Sequence, residues 1–158
     1  WDMGGSALLV GSILRIIVPA CNSTLTVSNA RGQCFSAMLN AAFAALAVAV
    51  LFGSLLAVAY LRETAAPPPW PVGALHGLIA VGGLALLTLA LRGPSRGVEQ
   101  GTGTFGIIAA ALLALAALAG LAQLALRLRG RRLPGGLIGA HATLAIGGFV
   151  ILLVYVLG

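Results

Sequence analysis

The stretch FGIIAAALLALAALAGLAQLAL, Phe105 to Leu126, runs for 22 residues without a charge and carries a single amide, Gln123. A helix rises 1.5 Å per residue, so this length reaches about 33 Å and crosses roughly 30 Å of hydrocarbon. Three further runs have the same character. Ala37–Leu61 is closed by Arg62-Glu63. Val72–Leu91 is entered through a Pro67-Pro68-Pro69 turn and an interfacial Trp70. Leu137–Leu157 follows the basic stretch Arg127–Arg132 and Pro134.

Composition agrees with lipid as the solvent. Of 158 residues 60% are hydrophobic and 8% are charged, against about 25% charged in an ordinary soluble domain. So few polar groups cannot cover a soluble surface. The fold class expected is an all-α membrane protein, a bundle of four transmembrane helices joined by loops too short to hold a separate catalytic domain.

The first 35 residues read differently. Ala7 to Ala20 is apolar but short, broken by Arg15 and closed by Pro19, which fits an interfacial or re-entrant helix, with a fifth span or a signal-like remnant as alternatives. Cys21 to Cys34 is rich in Ser, Thr and Asn and reads as a polar loop. Its two cysteines either form a disulfide in an oxidising compartment or stay as free thiols. The division expected is therefore 1–35 as apolar helix and polar loop, and 36–158 as the four-helix domain.

All nine basic residues are Arg, and the net charge is +6. In a soluble chain this would point to nucleic acid. Here the arginines cluster at span ends, where topology and lipid headgroups account for them, and no nucleic-acid partner is expected. Arg62, Arg127, Arg129, Arg131 and Arg132 lie on one side, Arg92 and Arg96 on the other, with Arg31 close to the first span. That bias puts the loops at 62–71 and 127–135 in the cytoplasm. Arg without Lys, beside abundant Ala, Gly and Leu, reads as a GC-rich bacterial coding sequence, hence a bacterial inner membrane.

The chain also repeats itself. At a constant offset of 65 residues the identities are Leu56/Leu121, Ala57/Ala122, Leu61/Leu126, Arg62/Arg127 and Pro69/Pro134, then His76/His141, Ala80/Ala145, Gly82/Gly147, Gly83/Gly148 and Leu87/Leu152. The scarce residues, Arg, Pro, His and Gly-Gly, carry the signal. The expectation is a tandem pair of hairpins, about 37–92 and 102–157, related by a pseudo-two-fold axis along the membrane normal.

That symmetry brings His76 and His141, the only histidines, to one depth about a turn inside the cytoplasmic helix ends. Each opens the pattern His-x-x-x-Ala-x-Gly-Gly. Positions i, i+4 and i+7 share a helical face, so His76, Ala80 and Gly83 form one stripe, and His141, Ala145 and Gly148 another. An imidazole above two small residues leaves a flat slot that a tetrapyrrole fits, its metal held by neutral imidazole nitrogen. The candidate cofactor is one haem b between His76 and His141, with Arg62, Arg127 or Arg129 pairing with its propionates. A chlorophyll-type pigment, or no cofactor, is the alternative: small residues at this spacing also let membrane helices pack closely.

With short loops and a His pair in a bundle, the layout resembles the small four-helix b-type cytochromes of bacterial membranes in a general way, without a diagnostic motif. The resemblance implies electron transfer, exchange with quinone and partner subunits of a respiratory-type complex. Multi-haem versions use four or more ligand histidines, so two allow one haem here. A non-catalytic accessory subunit of a respiratory or photosynthetic complex is the second expectation, and a small-solute transporter the third. Later spans lack Asp, Glu and Lys, which removes the usual proton relay. Asp2 is the sole Asp, so no Ser/His/Asp set exists. Gly101-x-Gly103 and Gly135-Gly136 lack the Lys of a phosphate loop.

Overall fold

In a computed structural model the chain is described over residues 27–62, 69–93, 99 and 101–158, with 27–31 and 61 by backbone alone. The expectations for Ala7 to Ala20, for the Pro67-Pro68 turn and for Cys21 fall outside those residues. Among the described residues there are four helices: α1 Val27–Leu61, α2 Trp70–Ala90, α3 Phe105–Leu128 and α4 Gly135–Leu157. Each is long and apolar enough to cross a membrane, and no strand occurs among the described residues. The chain is a multi-pass integral membrane protein.

The three later helices start and stop within two residues of the spans read from hydropathy. The first does not. Val27–Cys34, expected to be loop, is the beginning of a 35-residue helix. At 1.5 Å per residue α1 is about 52 Å long, well beyond the hydrocarbon thickness. Its first turns hold Ser, Asn, Arg and Gln, which suit water or headgroups and do not forbid helix. Ser36 Oγ donates back to the Gly32 carbonyl at 2.9 Å, a bond that lets a hydroxyl sit inside a helix. Cys34 therefore lies on α1, and it is not free.

Helix ends follow from Pro and Gly. Pro69 and Pro134 stand at the N-caps of α2 and α4 with extended backbone, φ −61° and −64°, where a missing N–H costs nothing. At the end of α3, Gly130 takes φ 68°. Arg131 N donates to the Leu126 carbonyl at 3.0 Å and Gly130 N to that of Arg127 at 2.9 Å, the paired bonds of a Schellman stop.

The helices form a ring in chain order. The main contacts are α1 with α2 and α3 with α4; α2–α3 and α1–α4 are thinner, and the diagonal pairs scarcely touch. The core sits toward one end, from Leu39, Ala42 and Leu46 of α1, Leu87 of α2, Ala109 and Leu113 of α3, and Leu152 and Tyr155 of α4. Phe43 stacks on Phe149 there, centroids 5.2 Å apart. Leu51, Leu55, Leu78, Ile107, Leu118 and Leu121 point outward, all more than 60% exposed. Those faces are what a bilayer covers.

Candidate functional site

His76 and His141 each stand six residues after the first residue of their helix, about 9 Å along the axis. That is deeper than the single turn expected. They belong to α2 and α4, one diagonal of the ring, and both are half-buried. Their ring centroids are 6.1 Å apart with planes at 84°. The two imidazoles meet across the bundle axis.

A second diagonal completes the geometry. On α1, a Cβ added at Gly53 would fall 2.7 Å from His76 Cε1; on α3, one added at Gly120 would fall 3.1 Å from His141 Cε1. The His rings lean on glycine backbone because nothing larger fits beside them. His141 Nδ1 pairs with the Ala116 carbonyl at 2.8 Å. Since a carbonyl only accepts, Nδ1 carries the proton and Nε2 keeps a free lone pair. His76 Nδ1 is buried with no hydrogen-bond partner among the described residues, and Phe52 packs edge-on against its ring at 6.2 Å.

Around the pair lies a cavity of about 170 Å³ lined by all four helices. His76, His141, Ala80, Ala145 and Arg127 of the expected site line it; Gly83, Gly148 and Arg62 do not. A Cβ at Gly83 would come 2.9 Å from Leu46 Cγ, and one at Gly148 would come 3.0 Å from Leu113 Cγ. The slot expected below each histidine is thus filled, at its glycine, by a leucine of the neighbouring helix. These two glycines serve close helix packing. Arg62 is exposed beyond the end of α1.

The sequence reading missed Gly53, Gly120, Tyr60 and the orienting carbonyl of Ala116. A signal for the glycines exists, at a different offset. Equivalent contacts are made by Leu46 on Gly83 and Leu113 on Gly148, and by Gly53 on His76 and Gly120 on His141: Leu46/Leu113 and Gly53/Gly120 are 67 residues apart, while His76/His141 and Gly83/Gly148 are 65 apart. The difference lies in the links, residues 62–69 and 129–134.

At the open end, Arg127 lies over the Tyr60 ring at 5.8 Å, within reach of a cation–π attraction. Leu133 N donates to Tyr60 Oη at 3.1 Å, which ties the second link to α1. Gln123 Nε2 donates to the Leu137 carbonyl at 3.2 Å, the neighbour bond expected of a lone amide in a span.

No group of three or more His, Cys, Asp or Glu able to hold a bare metal ion occurs among the described residues. Two imidazoles suffice only for a metal that brings its other ligands in a macrocycle. Comparison of the chain with protein-family models, with curated proteins and with solved structures returned no match.

Proposed function

We propose that this protein is a membrane electron-transfer subunit that binds one haem b between His76 and His141. The observation that carries the reading is the 6.1 Å centroid separation across the bundle axis. A metal held at about 2 Å by one nitrogen of each imidazole, with about 1.1 Å from nitrogen to centroid, requires a separation of about 6 Å. His141 already has its Nδ1–H on a backbone carbonyl, the outer bond that metal-binding histidines use to fix tautomer and orientation.

The cavity, at about 170 Å³, is smaller than the roughly 300–1,000 Å³ of ordinary cofactor pockets. Loading a tetrapyrrole therefore requires α1 and α3 to spread. Those two helices scarcely touch, and Gly53 and Gly120 lie against the histidine rings. Arg127, at the cavity mouth, supplies the cation for a propionate. Arg62 is too exposed to share that role. When bound, haem would supply a one-electron couple, and His76 and His141 would hold its iron through neutral imidazole nitrogens.

The reading includes a doubled hairpin, with the second link two residues shorter than the first, and a bacterial inner membrane with the arginine-rich end in the cytoplasm. Within it, quinone or a partner subunit exchanges electrons with the haem. Pigment ligation by each histidine separately is less favoured, because the rings face one shared space. The test is a pyridine haemochrome assay on protein purified from a haem-sufficient host: about one haem per chain supports the reading, and none defeats it.

A further inference from the structure

Arg127 is a half-buried cation without a described counter-ion. It is the basic residue of the last turn of α3, it is partly out of water, and it lines the mouth of the cavity. Its guanidinium lies over the Tyr60 ring at 5.8 Å, which holds the cation and leaves its N–H donors unspent. Among the described residues the one acid is Glu99, in the link at the opposite end of α3. A cation so placed gains most from a charged acceptor. Tyr60 has a donor to spare as well: its Oη accepts from Leu133 N, and its own proton remains to be given.

The space below these donors has a definite height and volume. Gly120, Leu124 and Arg127 form one stripe of α3, and Gly53, Ala57 and Tyr60 one stripe of α1; all six line the cavity. From the glycine that backs each histidine to the mouth is two turns, about 10 Å. At that depth His141 spends its Nδ1–H on the Ala116 carbonyl and keeps the Nε2 lone pair as an acceptor. The remaining walls are mostly Leu, Ile, Ala and Gly. Volume decides between occupants. An apolar cavity of about 150 Å³ takes one benzene, and this one measures about 170 Å³. It is too small for a long acyl chain or, unless the helices spread, for a tetrapyrrole. We infer that the closed cavity binds a one-ring aromatic carboxylate with a hydroxyl opposite the acid. The carboxylate accepts from Arg127 and from the Tyr60 hydroxyl at the mouth, and the ring lies between the two stripes. The far hydroxyl donates to His141 Nε2. The charged end thus stays at the water-facing rim while the ring fills space among apolar walls. Haem, whose propionate would use the same Arg127, is an alternative occupant, so this site stands or falls separately from haem loading.

The probes are 4-hydroxybenzoate, benzoate, phenol and palmitate, titrated by calorimetry into haem-free protein in zwitterionic nanodiscs, with empty nanodiscs as the blank. 4-Hydroxybenzoate is expected to bind one per chain, and benzoate about 2–12-fold more weakly, the worth of one hydrogen bond. Arg127→Gln should weaken both acids by about 10–150-fold, the loss of a hydrogen bond to a charged group, and leave phenol unchanged. Arg129→Gln alters an exposed arginine at the same end and should change none of the three, which separates a built site from a general surface potential. Ala57→Leu, which fills the space without altering a charge, should abolish binding of acids and phenol alike. SDS unfolding of each variant tells a filled cavity from a lost fold. Absence of 4-hydroxybenzoate binding, equal effects of Arg127→Gln and Arg129→Gln, or palmitate that outcompetes the aryl acid overturns the inference. A haemochrome assay on protein from a haem-sufficient host reads the haem proposal by itself: haem without aryl-acid binding defeats only this site, and aryl-acid binding without haem defeats only that proposal.

Discussion

Leu87 is completely buried, whereas Leu78, about two and a half turns closer to the cavity end of α2, is 69% exposed. Both are leucines on one helix, so replacing each by Ala separates helix–helix packing from lipid contact. In water a buried Leu→Ala change costs about 2.7–5 kcal/mol, part of it the transfer of methylenes from water. That part vanishes here, because helices that come apart in a bilayer expose the side chain to lipid, which is as apolar as leucine. What remains is the void. Removing on the order of 80 Å³ at about 24 cal/mol per Å³ gives about 2 kcal/mol before relaxation. The expectation is therefore about 1–2 kcal/mol for Leu87→Ala and close to zero for Leu78→Ala. Leu152, equally buried, should behave as Leu87 does. The assay is equilibrium unfolding by SDS in mixed micelles, followed by the fluorescence of Trp70 at the cavity wall. A cost for Leu78→Ala equal to that for Leu87→Ala would refute the packing argument. Because Leu87 lies 11 residues beyond His76, about 16 Å along the helix, its loss should leave haem content unchanged.

Three further outcomes are expected. In the oxidised haem-bound protein the ring planes at 84° should give a highly anisotropic low-spin EPR signal, and a rhombic signal of parallel imidazoles would contradict the pairing described. The glycine pairs should split: Gly82→Ala and Gly147→Ala meet nothing within 4 Å and should be neutral or stabilising by up to about 1 kcal/mol, while Gly83→Ala and Gly148→Ala press on leucine and should cost about 1–3 kcal/mol. The larger cost belongs to Gly148, which faces the backbone nitrogen of Leu113 at 3.2 Å; the same SDS titration reads all four. Tyr60→Phe removes the acceptor for Leu133 N and should cost about 0.6 kcal/mol, the mean for hydrogen bonds inside membranes, with faster amide exchange at Leu133 as the local readout.

Much of this architecture was legible because lipid imposes one requirement on every span. Hydropathy marks where side chains meet hydrocarbon, and it located α2, α3 and α4 to within two residues. The same signal is blind to helix outside the hydrocarbon, so the polar turns from Val27 to Cys34 read as loop. The facing histidines were legible through their shared offset of 65. Gly53 and Gly120 were not, because a link two residues shorter puts them at 67, and a single alignment carries only one offset. The function of the Gly-Gly pairs was underdetermined in one dimension. A small residue leaves space, and only the neighbouring helix decides whether that space takes Leu46 or a ligand.

The two ends of the bundle divide the labour this reading requires. In a bilayer, helices gain nothing from hiding apolar surface, so close contact must hold them together. That contact is concentrated at the Leu39–Leu87–Leu113–Leu152 end, where small residues at Ala42, Gly83, Ala109 and Gly148 bring backbones near. The histidine end is built the other way. Its glycines bring the rings inward until they meet across the axis, and among the described residues the Tyr60–Leu133 bond and the Arg127–Tyr60 contact join its second link and α3 to α1. A bundle clamped at one end and loosely tied at the other can admit a planar group between its histidines at the cost of a few weak interactions, while the packing that defines the fold stays in place. If both ends were packed alike, the same histidines at the same depth would be a structural pair and nothing more. The asymmetry between the ends, rather than the presence of two imidazoles, is what makes a binding role the stronger reading.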